Sequence, residues 1–199
     1  MKMPLPYISY SAWSLYLEDP TEYFSQYFVC RVDKPTIKMK IGKIFQEAWC
    51  DRSYDFEKRL KEEGATSDIA RAMKRALDSK DTIRLEKSET EKKYIVRHAK
   101  LKHPIIAIFD GETKRTIIEN KYGTPWSKKM AEESKQLVWY SLVYKIRNGV
   151  MPQIILQTFS AKNGSVRQFK IKHKEWEIEQ MIEEINAVVD RIKSGDFES

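Results

Sequence analysis

Three charged residues at the ends of two neighbouring apolar runs carry the chemistry of this sequence. They are Asp110 in "AIFDG" and Glu119 and Lys121 in "IIENKYG". Residues two apart on a strand project from the same face, so Glu119 and Lys121 are expected side by side where Ile117–Ile118 ends. Asp110 closes an apolar run and precedes Gly111. If the two runs pair, its carboxylate converges with that of Glu119 at one end of a sheet. Convergent carboxylates suit Mg²⁺ or Mn²⁺, hard cations that keep several waters and bridge to phosphate oxygens. A lysine beside them can orient a metal-bound water and stabilise charge building up at phosphorus. The backbone carbonyl of Asn120 would supply another hard ligand. This set predicts metal-assisted hydrolysis of a phosphodiester. The plain alternative is an Asp-Gly turn followed by an exposed ion pair of small energetic consequence.

A second pair follows in "QLVWY". Gln136 and Tyr140 are four apart and share a helix face, where an amide and a phenol could hold DNA phosphate or orient the lysine and the acids. The alternative is a surface glutamine beside a core tyrosine. Lys128 and Lys129 in "WSKKM" stand at a helix start just beyond the site, as a DNA-phosphate contact or a solvated turn. His98, His103 and His173 show no metal-ligand spacing, and no Walker-type phosphate loop is present.

The elements that must position these groups follow from patterning. "SYSAWSLYLEDPTEYFSQYF" predicts two short helices divided at Pro20, with Ser9 or Ser11 capping the first and Thr21 the second. "IGKIFQEAWCDRSYDFEKRLKEEG" predicts one longer helix stopped at Gly64, and "SDIARAMKRALDS" another, capped by Ser67. After Lys80 the texture changes. "TEKKYIVRHAKL", "HPIIAIFDG" and "KRTIIENK" predict three strands, the middle one buried on both faces. "SKKMAEESKQLVWYSLVYKIRNG" predicts a single helix from a Ser127 cap to Gly149. "MPQIILQTFS" and "SVRQFKIK" flank Asn163-Gly164 as a hairpin, and "KEWEIEQMIEEINAVVDRIKSG" is a last amphipathic helix. Helices followed by β-β-β-α-β-β-α imply an α/β or α+β layer with a helical front end. We expect one domain over 1–199, helical over 1–80 and sheet-containing over 81–199.

Bulk composition narrows the classes. The 199 residues, 41% hydrophobic and 33% charged, fit a folded domain and not a disordered chain. Lysine and arginine outnumber acids 36 to 29, for a net charge of +7, which is compatible with a polyanionic partner such as nucleic acid. Two cysteines, Cys30 and Cys50, exclude a disulfide scaffold and a four-thiolate site. No stretch approaches the roughly 20 apolar residues of a membrane span. The start of the chain is too polar and aromatic for a signal-peptide core, so a cytoplasmic location and no membrane partner are expected.

Taken together, "AIFDG", "IIENKYG" and "QLVWY" resemble the D…E-x-K and Q-x-x-x-Y motifs of the PD-(D/E)XK nuclease superfamily, in its RecB-like exonuclease branch. "ISYSAWSLYLEDPTEYFSQYF" resembles that branch's serine-rich, aromatic N-terminal segment, so the similarity spans roughly residues 8–160. The resemblance implies a restriction-endonuclease-like core, a central mixed sheet flanked by helices, with an N-terminal helical elaboration. It makes Asp110 and Glu119 metal ligands, Lys121 the catalytic lysine, and Gln136 and Tyr140 the supports that touch DNA. It implies Mg²⁺- or Mn²⁺-dependent cleavage of single- or double-stranded DNA, more naturally from ends than at internal sites. A setting in repair or recombination, or on a phage or mobile element, would fit, with protein partners possible and the oligomeric state open.

Two departures stand out. The family's early-helix ligand falls at Gln46 in "GKIFQE", with Glu47 one place later and about 100° around the helix. The cysteines of cluster-bearing relatives are missing, with Asp19 standing before the proline, so no iron–sulfur cluster is expected. The rival readings are a non-catalytic DNA-binding or accessory protein that keeps the fold, and an unrelated basic α/β protein with a chance D…E-x-K.

Overall fold

The computed structural model of the chain describes residues 1–31 and 34–198. Eight α-helices are described: α1 (Tyr10–Glu18), α2 (Pro20–Tyr27), α3 (Ile37–Cys50), α4 (Phe56–Glu62), α5 (Ser67–Asp78), α6 (Lys128–Glu132), α7 (Lys135–Asn148) and α8 (Glu175–Ser194). Among the described residues six strands form one mixed sheet: β1 (Ile8–Ser9), β2 (Thr90–Val96), β3 (Ile105–Thr113), β4 (Thr116–Gly123), β5 (Gln153–Ser160) and β6 (Val166–Ile171). The order is β1-β3-β4-β5-β6, with β2 also on β3; the β1–β3 and β4–β5 pairs are parallel and the rest antiparallel. No described helix is long and apolar enough to cross a membrane.

One side of the sheet is covered by α1, α7 and α8, whose Trp13, Trp139, Leu142, Ile185 and Val189 pack with Ile117 and Leu156. The other is covered by α3, α4 and α5, whose Phe45, Trp49, Leu60 and Met73 pack with Ile118 and Phe159. The alternation of β4 therefore sends Ile117, Glu119 and Lys121 towards α7, and Ile118, Asn120 and Tyr122 towards α3.

The sheet is forked at its centre. β2 occupies one edge of β3 from Ile105 to Gly111. A strand has two edges, so β1 (on Ile105 and Ile106) and β4 (on Gly111 to Thr113) share the other. Between them, among the described residues, 107–110 of that edge have no strand partner and β4 from Glu119 onwards pairs only with β5. Asp110 thus ends the open run of β3, and Glu119 begins the open run of β4.

Several expected boundaries shift for local reasons. Ser9 caps α1 by accepting from Ala12 N–H at 3.2 Å, but α2 is capped by Asp19, not Thr21: its Oδ1 accepts from Glu22 N–H at 2.8 Å, with Pro20 in the first turn. The helix expected over 41–64 is two. Asp51 turns its carboxylate on Ser53 N–H, and Asp55 caps α4 through Lys58 N–H, so local side-chain bonds outcompete the helix. In α5 the position before the first turn is Thr66, not Ser67. The helix expected over 127–149 breaks at Ser134, whose ψ of 108° is extended. The strand buried on both faces is β4, where Ile117 to Asn120 are all buried; Ile108 of β3 is exposed. β1, too short for a pattern to reveal, goes unpredicted.

Candidate active site

The fork brings Asp110, Glu119 and Lys121 together. Asp110 Oδ2 accepts from the backbone N–H of Asn120 at 2.7 Å, so a side chain spans the gap where the strands stop pairing. Strand residues point N–H and C=O to the same edge, so the Asn120 carbonyl faces this gap too. Glu91, opposite Asp110, has φ of +49°, and the two drop out of the β2–β3 ladder together, with the same register resuming on either side. Gly111 packs closely: a Cβ there would lie 2.6 Å from Leu85 Cδ1 and 3.1 Å from Trp49 Cη2, so those side chains would have to shift.

Lys121 Nζ donates to Glu119 Oε1 at 2.5 Å and to Gln136 Oε1 at 2.9 Å. Gln136 Nε2 in turn donates to Tyr140 Oη at 2.8 Å. The four side chains form one hydrogen-bonded line from β4 to α7. That helix is docked on the β3–β4 hairpin at two points. Arg147 pairs with Glu112 at 2.6 and 3.1 Å, and Tyr144 Oη accepts from Arg115 N–H at 3.0 Å. Gly149 closes it with φ of +72°, its N–H bonded to Lys145 O.

The electrostatics are those of crowded acids with one cation. Burial raises Asp110 well above the usual carboxylate range, and the neighbouring Glu119 charge raises it further; Asn120 N–H and Lys121 oppose this. For Lys121 burial acts downward, but the Glu119 charge and hydrogen bond, with the charge of Asp110, outweigh it and hold the ammonium above its ordinary value. Tyr140 is held well above a phenol's range by burial and by the charges of Glu119 and Asp110, so it stays neutral.

The donor set fits a hard divalent cation. Glu119 Oε2 is buried with no hydrogen-bond partner, and two adjacent carboxylates repel each other with a single lysine to offset them. Both features call for positive charge at oxygen ligands. Among the described residues no group of three or more His, Cys, Asp or Glu side chains gathers at one point, so further ligands would be neutral oxygens or water.

Gln46 lies beside Asn120, whereas Glu47 turns away. Gln46 Oε1 lies 3.5 Å from Asn120 Nδ2, and its Nε2 donates to Cys50 Sγ at 3.4 Å. The Cys50 thiol is pushed up to about 11 by burial, with the charges of Glu91 and Asp110 adding to the shift. Glu47 faces Lys43 at 3.9 Å and Tyr54 instead, rotated away by its single helical step. Lys128 and Lys129 are exposed and pair with Glu132 and Glu133 on their own turn of helix.

Two features escaped sequence reasoning. Gln157 is fully buried and donates to Asn120 Oδ1 at 2.9 Å; an amide amid the apolar "IILQTF" was its signal. A cleft of about 390 Å³ beside Gln136 and Tyr140 is lined by Ser9, Ser11, Tyr10 and Lys93, and nothing in the sequence joins Lys93 to them.

No family model matches the chain, and no curated protein sequence does. Among solved structures it is similar to a protein described as an exonuclease from Eubacterium rectale, with a TM-score of 0.64 at 12% identity, over 97% of this chain and 83% of that one. It is also similar to LHK-Exo, solved in complex with dAMP, with a TM-score of 0.57 at 12% identity, over 96% and 90% of the two chains. At this identity the likeness shows the fold: a central mixed sheet flanked by helices, as in these exonucleases.

Proposed function

We propose that the chain is a Mg²⁺- or Mn²⁺-dependent DNA nuclease, with Asp110, Glu119 and Lys121 as its catalytic residues. The observation that carries this reading is the buried, partnerless Glu119 Oε2 beside Asp110, with an ammonium held charged next to both. Asp110, Glu119 and the Asn120 carbonyl would hold the cation, with Gln46 as a weaker neutral donor. The cation would supply Lewis acidity and an activated water.

Lys121 has three N–H donors. Two are bonded to Glu119 and Gln136, which leaves the third for a non-bridging phosphate oxygen or the attacking water. Because it stays protonated, it acts by donating a hydrogen bond and by electrostatics and not as a general base. Gln136 fixes the direction of that ammonium, and Tyr140 fixes Gln136. The fold shared with two exonucleases, one holding a deoxynucleoside monophosphate, supports DNA as substrate and ends as the point of attack. In this reading residues 1–199 act as one nuclease domain of the RecB-like branch, with Lys128 and Lys129 as outlying phosphate contacts.

The test is incubation of the purified protein with end-labelled linear single- and double-stranded DNA in Mg²⁺, in Mn²⁺ and in EDTA. Release of labelled mononucleotides in either metal, abolished by EDTA, is expected. A second reading, a DNA-binding accessory protein, is favoured by one observation: an amide, Gln46, stands where a third acid would strengthen the site. DNA binding without cleavage in both metals would establish it in place of the first.

A further inference from the structure

We propose that Gln157, which lies behind the site and touches neither acid, is a positioning residue for the candidate cation site: it sets the polarity of a chain of three amides that turns the oxygen of Gln46 towards Asn120 and the fork. The inference rests on the cation-binding reading above and concerns how this chain manages with a glutamine at that point.

An amide side chain has an oxygen end and an amino end of nearly equal shape, so its orientation is decided by its partners. Backbone groups cannot reverse, and the chain begins at one. Gln157 Oε1 accepts from Ile83 N–H at 2.7 Å, and Gln157 Nε2 donates to Ile83 C=O at 2.9 Å. This two-point grip on a single residue's backbone allows one orientation only. Gln168 Nε2, 3.3 Å from Gln157 Oε1, agrees with it.

Polarity then propagates. With its amino end fixed, Gln157 donates its remaining N–H to Asn120 Oδ1 at 2.9 Å, in register across the parallel β4–β5 pair. Asn120 must therefore turn its Nδ2 outward, where it meets Gln46 Oε1 at 3.5 Å. Gln46 Nε2 is directed to Cys50 Sγ instead. The Gln46 oxygen keeps a second lone pair for a cation, whereas the reversed amide would offer an N–H and repel one. The segment that sets the polarity also holds the helix carrying Gln46: Arg84 Nε donates to Trp49 O at 3.2 Å, and Trp49 Nε1 donates to Ile83 O at 2.9 Å. Orientation and placement of Gln46 thus share one source.

The test exploits the fact that a carboxylate has no polarity to set. Mn²⁺ binding to the metal-free protein would be followed by titration calorimetry in four proteins: the parent, Gln157→Met, Gln46→Glu, and the double variant. Gln157→Met should weaken Mn²⁺ binding about tenfold, the lower end of the range for losing a group that orients a ligand. In the Gln46→Glu background the same change should have little effect, because either carboxylate oxygen serves. Equal losses in both backgrounds would overturn the inference and leave Gln157 a packing residue, while Mn²⁺ binding by the parent preserves the cation reading. No Mn²⁺ binding by the parent overturns both. If Gln157→Met does not fold, Asn120→Ala breaks the chain one link nearer the site, keeps the backbone carbonyl, and is read by the same four-way comparison.

Discussion

The two sides of the sheet treat buried polarity in opposite ways. On the α7 side lie Glu119 Oε2, Thr158 Oγ1, His173 Nε2 and Trp13 Nε1, which are all the buried side-chain polar atoms without a partner among the described residues. On the α3 side, Gln46, Asn120 and Gln157 are bonded to one another and to the Ile83 backbone. A buried polar group costs stability unless it is bonded. The α7 side therefore carries that cost, part of it at the fork, and the α3 side bonds its polar groups beside the fork. β4 separates the two by its alternation alone.

The largest effect that would sharpen this contrast is on catalysis. Lys121→Ala should lower the rate of DNA cleavage by about 10²–10³-fold or more, the typical consequence of losing one preorganised donor to developing charge. DNA binding in EDTA should be retained. A variant that cleaves within threefold of the parent would remove Lys121 from the mechanism and break the division of labour.

Next come the opposite signs expected for stability. Gln157→Met removes the partners of Ile83 N–H and of Asn120 Oδ1, and leaving such groups unsatisfied costs about 1–3 kcal/mol. Denaturant unfolding should show that loss. Asp110→Asn should do the reverse. The Asp110 carboxyl is raised in the folded state, first by burial and then by Glu119. A carboxylate raised on folding opposes stability above its unfolded pKa of 3.8, and the opposition persists to neutral pH. The amide keeps an oxygen for Asn120 N–H and removes the charge. An inactive Asp110→Asn variant stabilised by about 0.5–2 kcal/mol at neutral pH is the expected outcome, as when activity is traded for stability. Calorimetry in EDTA checks it, and a destabilised variant would show that the acids are accommodated without strain.

The contrast also explains what was legible in the sequence. The acids and the lysine were readable because charge at the end of an apolar run is conspicuous, and the two-residue period puts Glu119 and Lys121 on one face. The fold class followed from the strand and helix periods. The fork was not readable: it depends on β1, two residues long, and on Asp110 taking over a backbone bond across the gap. The amide chain joins residues 46, 83, 120 and 157, which no local pattern links. The helix break at Asp51–Asp55 was missed because side-chain-to-backbone bonds there compete with helical ones, and the break at Ser134, where the backbone turns extended, because the hydrophobic pattern continues across it.

The smallest expected effect extends the contrast from the fork to the middle of α7. His173 Nδ1 lies 2.8 Å from Ser141 Oγ, both residues are buried, and Nε2 has no partner. Burial lowers His173 below its ordinary 6.5, and the charge of Glu177 only partly opposes this. The folded chain thus binds fewer protons at this residue than the unfolded chain does. Stability contributed by neutral His173 is fully present above pH 6.5 and is lost as pH falls from there through the lowered folded value. Each unit of displacement corresponds to about 1.4 kcal/mol at the acid limit. His103, also lowered by burial, bonds to Leu5 O and contributes in the same direction, so the informative quantity is a difference. Melting temperatures of the parent and of His173→Gln, measured from pH 7.5 to pH 5, should converge as pH falls, the parent losing more. Parallel curves would mean that the orphaned nitrogen takes up a proton without cost, and that the α7 side tolerates charge away from the fork as well as within it.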